Sequence, residues 1–406
     1  MSATMTTVNG ILKEVYEGGI NDQLQNDMIA LKRIEATSKG VFEDAGGKFT
    51  RFPVRTTRNH GISYRDENAA IAAAGRQGYQ QTQESLKYGY GRVRLTGQVI
   101  ELADSNPKAF ANAADREMDG LKSDLGRDQN RIAWGNPIGF ATTAGTGVIS
   151  RVTTGAASLT ITAPLNNQIE VGMVIDLVDT SGVPIANGTG KTVLTVAANE
   201  LSFTVDGATP TTVTNQTCIV RTGNWNKEPY GLSNLVSPTG ALHGLNPATA
   251  GQEVWAAIED TTTTTLSEPA MISRCDDVYR KGGGKISVVF CSLGVRRSYF
   301  NLLTSMRRYN EPKEWTGGLV GLAFNYEREV PVVSDRDCPA NSMYLIDESQ
   351  ISIYRNKPWH WADNDGSILK YVHDYDAWEG LLKCYWQLVT HQRNSAARMT
   401  ALTEAS

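Results

Sequence analysis

The sequence predicts an α+β chain of several folded units with a small all-β domain inserted near its middle. Three observations carry this. Residues 105–134 hold one unbroken helical pattern, and residues 146–222 turn abruptly to Thr, Val, Gly and Ala with a single aromatic, Phe203. Residues after 223 return to strand and helix signals in alternation, ending in a stretch dense in tryptophan. A chain of 406 residues is also long for one core, since domains usually hold about 100–200 residues.

Residues 1–45 are read as an N-terminal arm. Ile20, Leu24, Met28, Leu31 and Ile34 make one apolar stripe at helical spacing. A lone helix of this length is marginal in water, so the stripe is expected to dock on the chain's own body or on a neighbour's. Residues 46–100 read as a long hairpin: KFTRFPVRTT, a small-residue tip ENAAIAAAGRQG, then YQQTQESLKYGYGRVRL. Pro53, Gly89 and Gly91 suit edge strands and bulges. This segment has nine basic and three acidic residues, a balance of +6 against −4 for the whole chain, which leaves −10 elsewhere. A basic hairpin on an acidic molecule points to contact between copies, with Arg51, Arg55, Arg58, Lys87, Arg92 and Arg94 as the expected inter-subunit residues. Nucleic-acid contact is the competing reading, and no aromatic side chains are set out in the sequence as a base-stacking platform.

The segment 101–145 carries the long helix. Ser105 or Asn106 can cap it and Pro107 suits its first turn. Phe110, Ala114, Met118, Leu121, Leu125 and Ile132 share one face, and Gly135, Asn136 and Pro137 end it. Gly120 and Gly126 are each unfavourable by up to ~1 kcal/mol relative to alanine, so they mark a close approach or a bend. In residues 146–222 six short β patterns recur, GVISRVTT, SLTITA, GMVIDLVD, TVLTV, LSFTV and TCIVR, separated by turn signals. Glycine-rich ends suggest a module hung from one point of the body.

Residues 223–350 read as a mixed α/β unit. LSEPAMISRCDDVYRKGGG is a helix closed by glycine, KISVVFC a buried strand, and SLGVRRSYFNLLTSM a helix capped by Ser292. VPVVSD, MYLID and ISIYR follow as strands. Residues 351–406 hold two long strand-like stretches with Trp359, Trp361, Trp378 and Trp386 before the C-terminal return, a packed body element.

Composition excludes several classes. No apolar run approaches the ~18 residues of a membrane span, and the start MSATMTTVNG lacks the regions of a signal peptide, so folding in a cytoplasm is expected. Cys218, Cys275, Cys291, Cys338 and Cys384 are an odd number without a C-x-x-C pair, and read as buried free thiols. With pI near 5.8 the chain is not a dedicated nucleic-acid binder.

Motifs for chemistry fail one by one. NGTGKT ends like a phosphate loop, but Ile185 stands where the first glycine is needed. Ser292 lies between strand and helix, but Phe290 replaces the first glycine of G-x-S-x-G. ADNDGS has Trp361 at the first calcium-ligand position, and reads as a turn at Asp365 and Gly366. His360 and His373 stand near Asp363, Asp365, Asp374 and Asp376 without a nucleophile or cofactor loop. No catalytic, cofactor-binding or metal-binding residue is assigned, and the chain is read as no enzyme.

The order arm, long hairpin, long helix, mixed α/β unit and long terminal strands resembles the Hong Kong 97 capsid fold of tailed bacteriophages. GKISVVFCSLGVRRSYFNLL, VPVVSDRDCPANSMYLID and YDAWEGLLKCYWQLVTHQRNSAARM also look like major capsid proteins of that family. The resemblance covers the chain except residues 146–222. It implies an N-terminal arm, an extended loop, a peripheral domain with a spine helix, an axial domain and an inserted β domain. It further implies pentamers and hexamers around double-stranded DNA, with the extended loop over a neighbouring subunit, in a virion assembled in the host bacterial cytoplasm. The helix begins by residue 105, leaving no room for a scaffolding region removed in maturation, so a separate scaffolding protein is implied, with a portal protein and a decoration protein as further partners. The lysine–asparagine cross-link of the prototype is not carried over: Lys87 is the one lysine well placed on the returning strand, and no acceptor asparagine matches. An encapsulin-like shell enclosing cargo enzymes is the alternative.

Overall fold

A computed structural model of the chain describes residues 28–37, 41–42, 49–98, 107–136, 145–155, 157–164, 168–306, 323–326, 328–363 and 366–405. Within these, helix α1 (Ile29–Ala36) buries Ala30, Leu31 and Ile34; Ile20 and Leu24 lie outside the described residues. The arm docks on its own body. Ala30 N–H donates to the buried Asp335 at 3.0 Å, and Arg33 and Glu35 pair with Glu348 and Arg355 at 2.6 and 2.9 Å. Strand β1 (Val41–Phe42) then lies parallel to β16 (Ile351–Arg355).

The expected hairpin of residues 46–100 is shorter than its sequence suggested. Only β2 (Pro53–Thr57) and β3 (Gly78–Gln81) pair with each other, with a further bridge between Thr50 and Glu84. The rest of the second run, β4 (Lys87–Thr96), leaves the hairpin and pairs over ten positions with β19 (Ala377–Thr390). Glycine explains why. Gly89 and Gly91 turn toward the body, where a Cβ on Gly91 would run into Leu125 of the long helix and one on Gly89 would stand 3.0 Å from Trp359.

That helix, α2 (Pro107–Trp134, 28 residues), is a rod about 40 Å long at ~1.5 Å per residue. Its proposed caps Ser105 and Asn106 fall outside the described residues. Leu121 and Leu125 sit under β4, but among its described side chains the most deeply buried are Asn130, Ala133 and Trp134 at its C-terminal end. Gly126 is a close approach, since a Cβ there would stand 2.7 Å from Met28 Sδ of the arm, whereas Gly120 faces open space. β19 is the centre of a six-stranded sheet. β4 flanks one side, and β16, β17 (His360–Trp361) and β18 (Leu369–Tyr371) share the other. Of the two long terminal stretches expected, only β19 is continuous.

The six β patterns of residues 146–222 all form. They are β5 (Val148–Arg151), β6 (Thr160–Thr162), β7 (Val174–Val178), β8 (Lys191–Val196), β9 (Ser202–Val205) and β10 (Cys218–Arg221). They join antiparallel in the order β5-β10-β7-β8-β9-β6. The sheet curls on itself, because Thr153 N–H beyond β5 donates to Thr162 of β6 at 2.8 Å. Ile149, Ile175, Leu177, Phe203, Val205 and Ile219 build a core of its own.

A third sheet runs β11 (Ile258–Asp260), β20 (Ala397–Met399), β15 (Met343–Ile346), β12 (Val288–Cys291), β14 (Arg328–Ser334), β13 (Ala323–Tyr326). The short helix α3 (Leu232–Leu235) precedes it in the chain, and helices α4 (Glu268–Gly282) and α5 (Leu293–Met306) pack beside it. Ser267 caps α4 and Gly283, with φ of 66°, ends it in the left-handed conformation. Two side chains tie the loops. Asp260 accepts from the N–H and hydroxyl groups of Thr262 and Thr263, and these bonds hold its carboxyl well below the usual range against the opposing effect of burial. The buried Arg393 donates to the carbonyls of Asn234, Leu235, Thr239 and Gly240.

Candidate assembly interface

The six arginines and lysines expected to face a neighbour divide into two groups. Arg51, Arg55 and Arg58 stay on the hairpin: Arg51 donates to Gln83 at 3.0 Å, while Arg55 and Arg58 line a groove with Lys281 and Asn394 that holds no carboxylate. Lys87, Arg92 and Arg94 instead belong to the β4–β19 sheet. Lys87 donates to the Asn226 carbonyl at 2.8 Å, and Arg92 and Arg94 share Glu379 of β19 at 3.7 and 3.8 Å. The charge count that joined all six on one loop therefore mixed two surfaces.

The hairpin is fixed at its root. Glu84 accepts from His243 Nδ1 at 2.7 Å and from Gln387 Nε2 at 3.0 Å. His243 Nε2 accepts the Thr390 N–H at 3.2 Å, which assigns the ring proton to Nδ1 and makes it the donor to Glu84. Beyond this anchor the tip stands free: Ile62 is 80% exposed, Tyr64 98% and Ile71 89%.

On β4 the side chains alternate, so the glycines face α2 and Tyr88, Tyr90, Arg92 and Arg94 face outward. The cross-strand partners of this face are Tyr385, Lys383, Leu381 and Glu379. The Tyr88 and Tyr90 rings lie 4.9 and 6.0 Å from that of Tyr385, and the hydrogen bond with Tyr385 pushes the Tyr90 phenol up. Arg94 also covers Tyr375, 4.5 Å from its ring centre. Sequence reasoning missed this aromatic cluster; its signal was the Y-G-Y-G-R-V-R alternation, legible once one face of the strand is known to be covered.

A second junction joins the β5–β10 unit to α2. Arg131 bridges Asp128 and Glu228 at 2.9 Å each, Arg221 reaches Asp128 at 3.2 Å, and Arg127 pairs with Glu170. Burial alone would raise the Asp128 carboxyl; Arg131 and Arg221 outweigh it and hold it low.

The residues weighed for chemistry have structural uses. Ser292 caps α5, accepting from Val295 N–H and donating to Glu404. The Lys191 ammonium of NGTGKT donates to the carbonyls of Asp206 and Ala208 at 2.8 and 2.6 Å. His360 meets the Pro358 carbonyl, and His373 pairs with Asp374 in an exposed turn; Asp365 lies outside the described residues. All five cysteines are buried and unpaired, and burial pushes the thiols of Cys218, Cys275, Cys291 and Cys384 up to about 12, far from nucleophilic.

No protein-family model and no curated protein matches the chain. Solved structures do. The capsid asymmetric unit of cyanophage A-1(L) matches with a TM-score of 0.61 at 14% identity, over 99% of this chain and 100% of that one. The capsid of the native GTA particle matches with a TM-score of 0.51 at 11% identity over 99% of both chains, and that of the empty GTA particle with 0.50 at 10%. At these identities the likeness is one of fold.

Proposed function

We propose that this chain, which has the fold of phage capsid subunits, is itself the major shell subunit of a tailed phage built on the Hong Kong 97 plan. The observation that carries the reading is end-to-end likeness of fold: a chain of the cyanophage A-1(L) capsid aligns over 99% of this chain and 100% of its own length with a TM-score of 0.61. The solved relatives are structural proteins and not enzymes, in keeping with the structural uses of Ser292, Lys191 and the cysteines.

On this plan α1 and β1 are the arm, β2 and β3 the extended loop, α2 the spine helix, the β19 sheet the peripheral domain and the β12 sheet the axial domain. The β5–β10 unit is an insertion. Copies join as pentamers and hexamers in a closed shell around double-stranded DNA, which meets the inner wall without sequence preference. Assembly in the host cytoplasm uses a separate scaffolding protein, a portal protein occupies one vertex, and the insertion faces outward, where a decoration protein can bind. An encapsulin-like shell is less well supported, because the solved relatives are capsids of phage and GTA particles.

Sedimentation and negative-stain electron microscopy of the expressed chain, alone and with its scaffolding protein, test this. Closed shells of uniform diameter are expected. A protein that stays monomeric under both conditions, or forms only symmetric dimers, would overturn the proposal.

A further inference from the structure

Between the stem of the β5–β10 unit, β4 and α2 lies a cleft of about 920 Å³, the size of pockets that hold small organic ligands. Two glycines shape its walls. Gly89 has no side chain on the face of β4 turned to the body, where a Cβ would stand 3.0 Å from Trp359, and Gly223, with φ of 78°, turns the chain as it leaves β10. Leu125, Ile132, Trp359 and Trp386 give the cleft an apolar lining. Trp386 is buried, whereas the other three are only half-buried, so apolar surface is left for a ligand to cover.

The polar part of the lining is one-sided. Its carboxylates among the described residues, Asp128 and Glu228, are both held by Arg131 at 2.9 Å, and Asp128 also takes Arg221 at 3.2 Å. Lys87, Arg221 and Lys227 stand against these two. Lys87 gives one proton to the Asn226 carbonyl and has two more to give, while Lys227 is exposed. Two N–H donors of the lining are buried without an acceptor among the described residues, the Trp359 indole and Arg221 Nε. A buried donor left in this state bears the full cost of its lost hydration, and a bound acceptor relieves it.

We propose that the cleft binds a small amphipathic anion, with its apolar body on Leu125, Ile132 and Trp359 and its acidic oxygens on the Trp359 indole, Arg221 and Lys87. A neutral apolar molecule would leave the donors unpaired, and a cation would meet charges of its own sign. Val174 and the segment from Arg221 to Pro229 make one wall, and β4 with α2 makes the other. A bound anion therefore braces the inserted unit against the body, beside the ion pairs that already join them. The site is built within one chain, so it goes beyond the shell reading and does not depend on it.

Calorimetric titration of the purified, unassembled subunit tests this with two probes, anilinonaphthalene sulfonate and dodecanoate. At least one should bind at a single site per chain and raise Tm as its concentration rises; the stronger of the two shows whether the body preferred is a flat aromatic or an alkyl chain. N-phenylnaphthylamine, the sulfonate probe without its charge, should bind about tenfold more weakly or less, as should the sulfonate to the Lys87→Gln, Arg221→Gln protein, since hydrogen bonds to a charged group are lost in each case. Trp359→Phe keeps a ring in place and removes the N–H, and should weaken binding by roughly fivefold. Val174→Trp, at a position 45% exposed, should block the cleft without touching a donor. Urea unfolding of each variant shows that it is folded. Failure of both probes to bind would overturn the proposal, as would several weak sites per chain, equal affinity for the uncharged analogue, or a single site that the folded variants leave unchanged.

Discussion

Removing the β5–β10 unit should leave a folded body, and the structure sets the size of the effect. Its first and last strands are neighbours, with Val148 opposite Val220, so the two cut ends lie about 5 Å apart and a short Gly-Ser linker from Thr146 to Thr222 spans them without strain. The unit's core of Ile149, Ile175, Leu177, Phe203, Val205 and Ile219 leaves with it. The body loses four things, one of them the Val148 N–H that the buried Asn136 amide oxygen accepts at 3.3 Å. Trp225 loses the cover of Val148, Val178, Cys218 and Val220, a side chain's burial being worth about 2–3 kcal/mol. Asp128 loses Arg221 but keeps Arg131, and the Arg127–Glu170 pair, half-exposed at Glu170, adds less than about 1 kcal/mol. A cleft of about 920 Å³ already separates the unit's stem from β4 and α2, so little further packing is lost. The sum is about 2–4 kcal/mol, or roughly 4–10 °C in Tm, read by urea and thermal unfolding of the unassembled subunit. Shells of unchanged diameter should still form. An insoluble body, or one without a cooperative transition, would refute the view that the unit is an insertion with its own core.

Three further outcomes are expected. Asp260→Ala should cost about 2–3 kcal/mol by leaving the Thr262 and Thr263 donors unpaired. Because its folded pKa lies below the unfolded 3.8, the Asp260 carboxylate contributes stability in full above about pH 4, and acid unfolding curves should show this contribution fade as the pH drops from there toward its folded value. Arg393→Met should cost about 3–5 kcal/mol in urea unfolding, since it strips a charged donor from four carbonyls, partly offset by relief of the burial that lowers the guanidinium pKa to about 10. The five thiols should resist Ellman's reagent in the native protein and react on unfolding; rapid reaction of any one would contradict the burial at that site.

What could be read from the sequence follows the distance over which each element finds its partner. The six strands of the β unit and the helix Pro107–Trp134 were legible because alternation, turn residues and helical spacing are local signals. β4 was misassigned because its partner β19 stands nearly three hundred positions away and nothing in YQQTQESLKYGYGRVRL marks where the hairpin ends. Its glycines were read as edge features, whereas they let the strand lie on Leu125. The same error misplaced Arg92 and Arg94 and hid the tyrosine face. The C-terminal return was foreseen, but not that β20 would enter the sheet of β12 and β15, a pairing fixed only by tertiary packing. The buried Asn130 and Arg131 of α2 escaped notice because each is partnered by a residue far along the chain, Asp335 and Glu228.

The central claim, that this chain builds a closed shell, is tested most directly by a cryo-EM reconstruction of the assembled wild-type protein. Icosahedral or prolate particles are expected, whose five-fold and six-fold rings accept the fold described above in every position. Particles of any other symmetry, or a chain that remains a monomer at assembly concentrations with its scaffolding protein present, would contradict it.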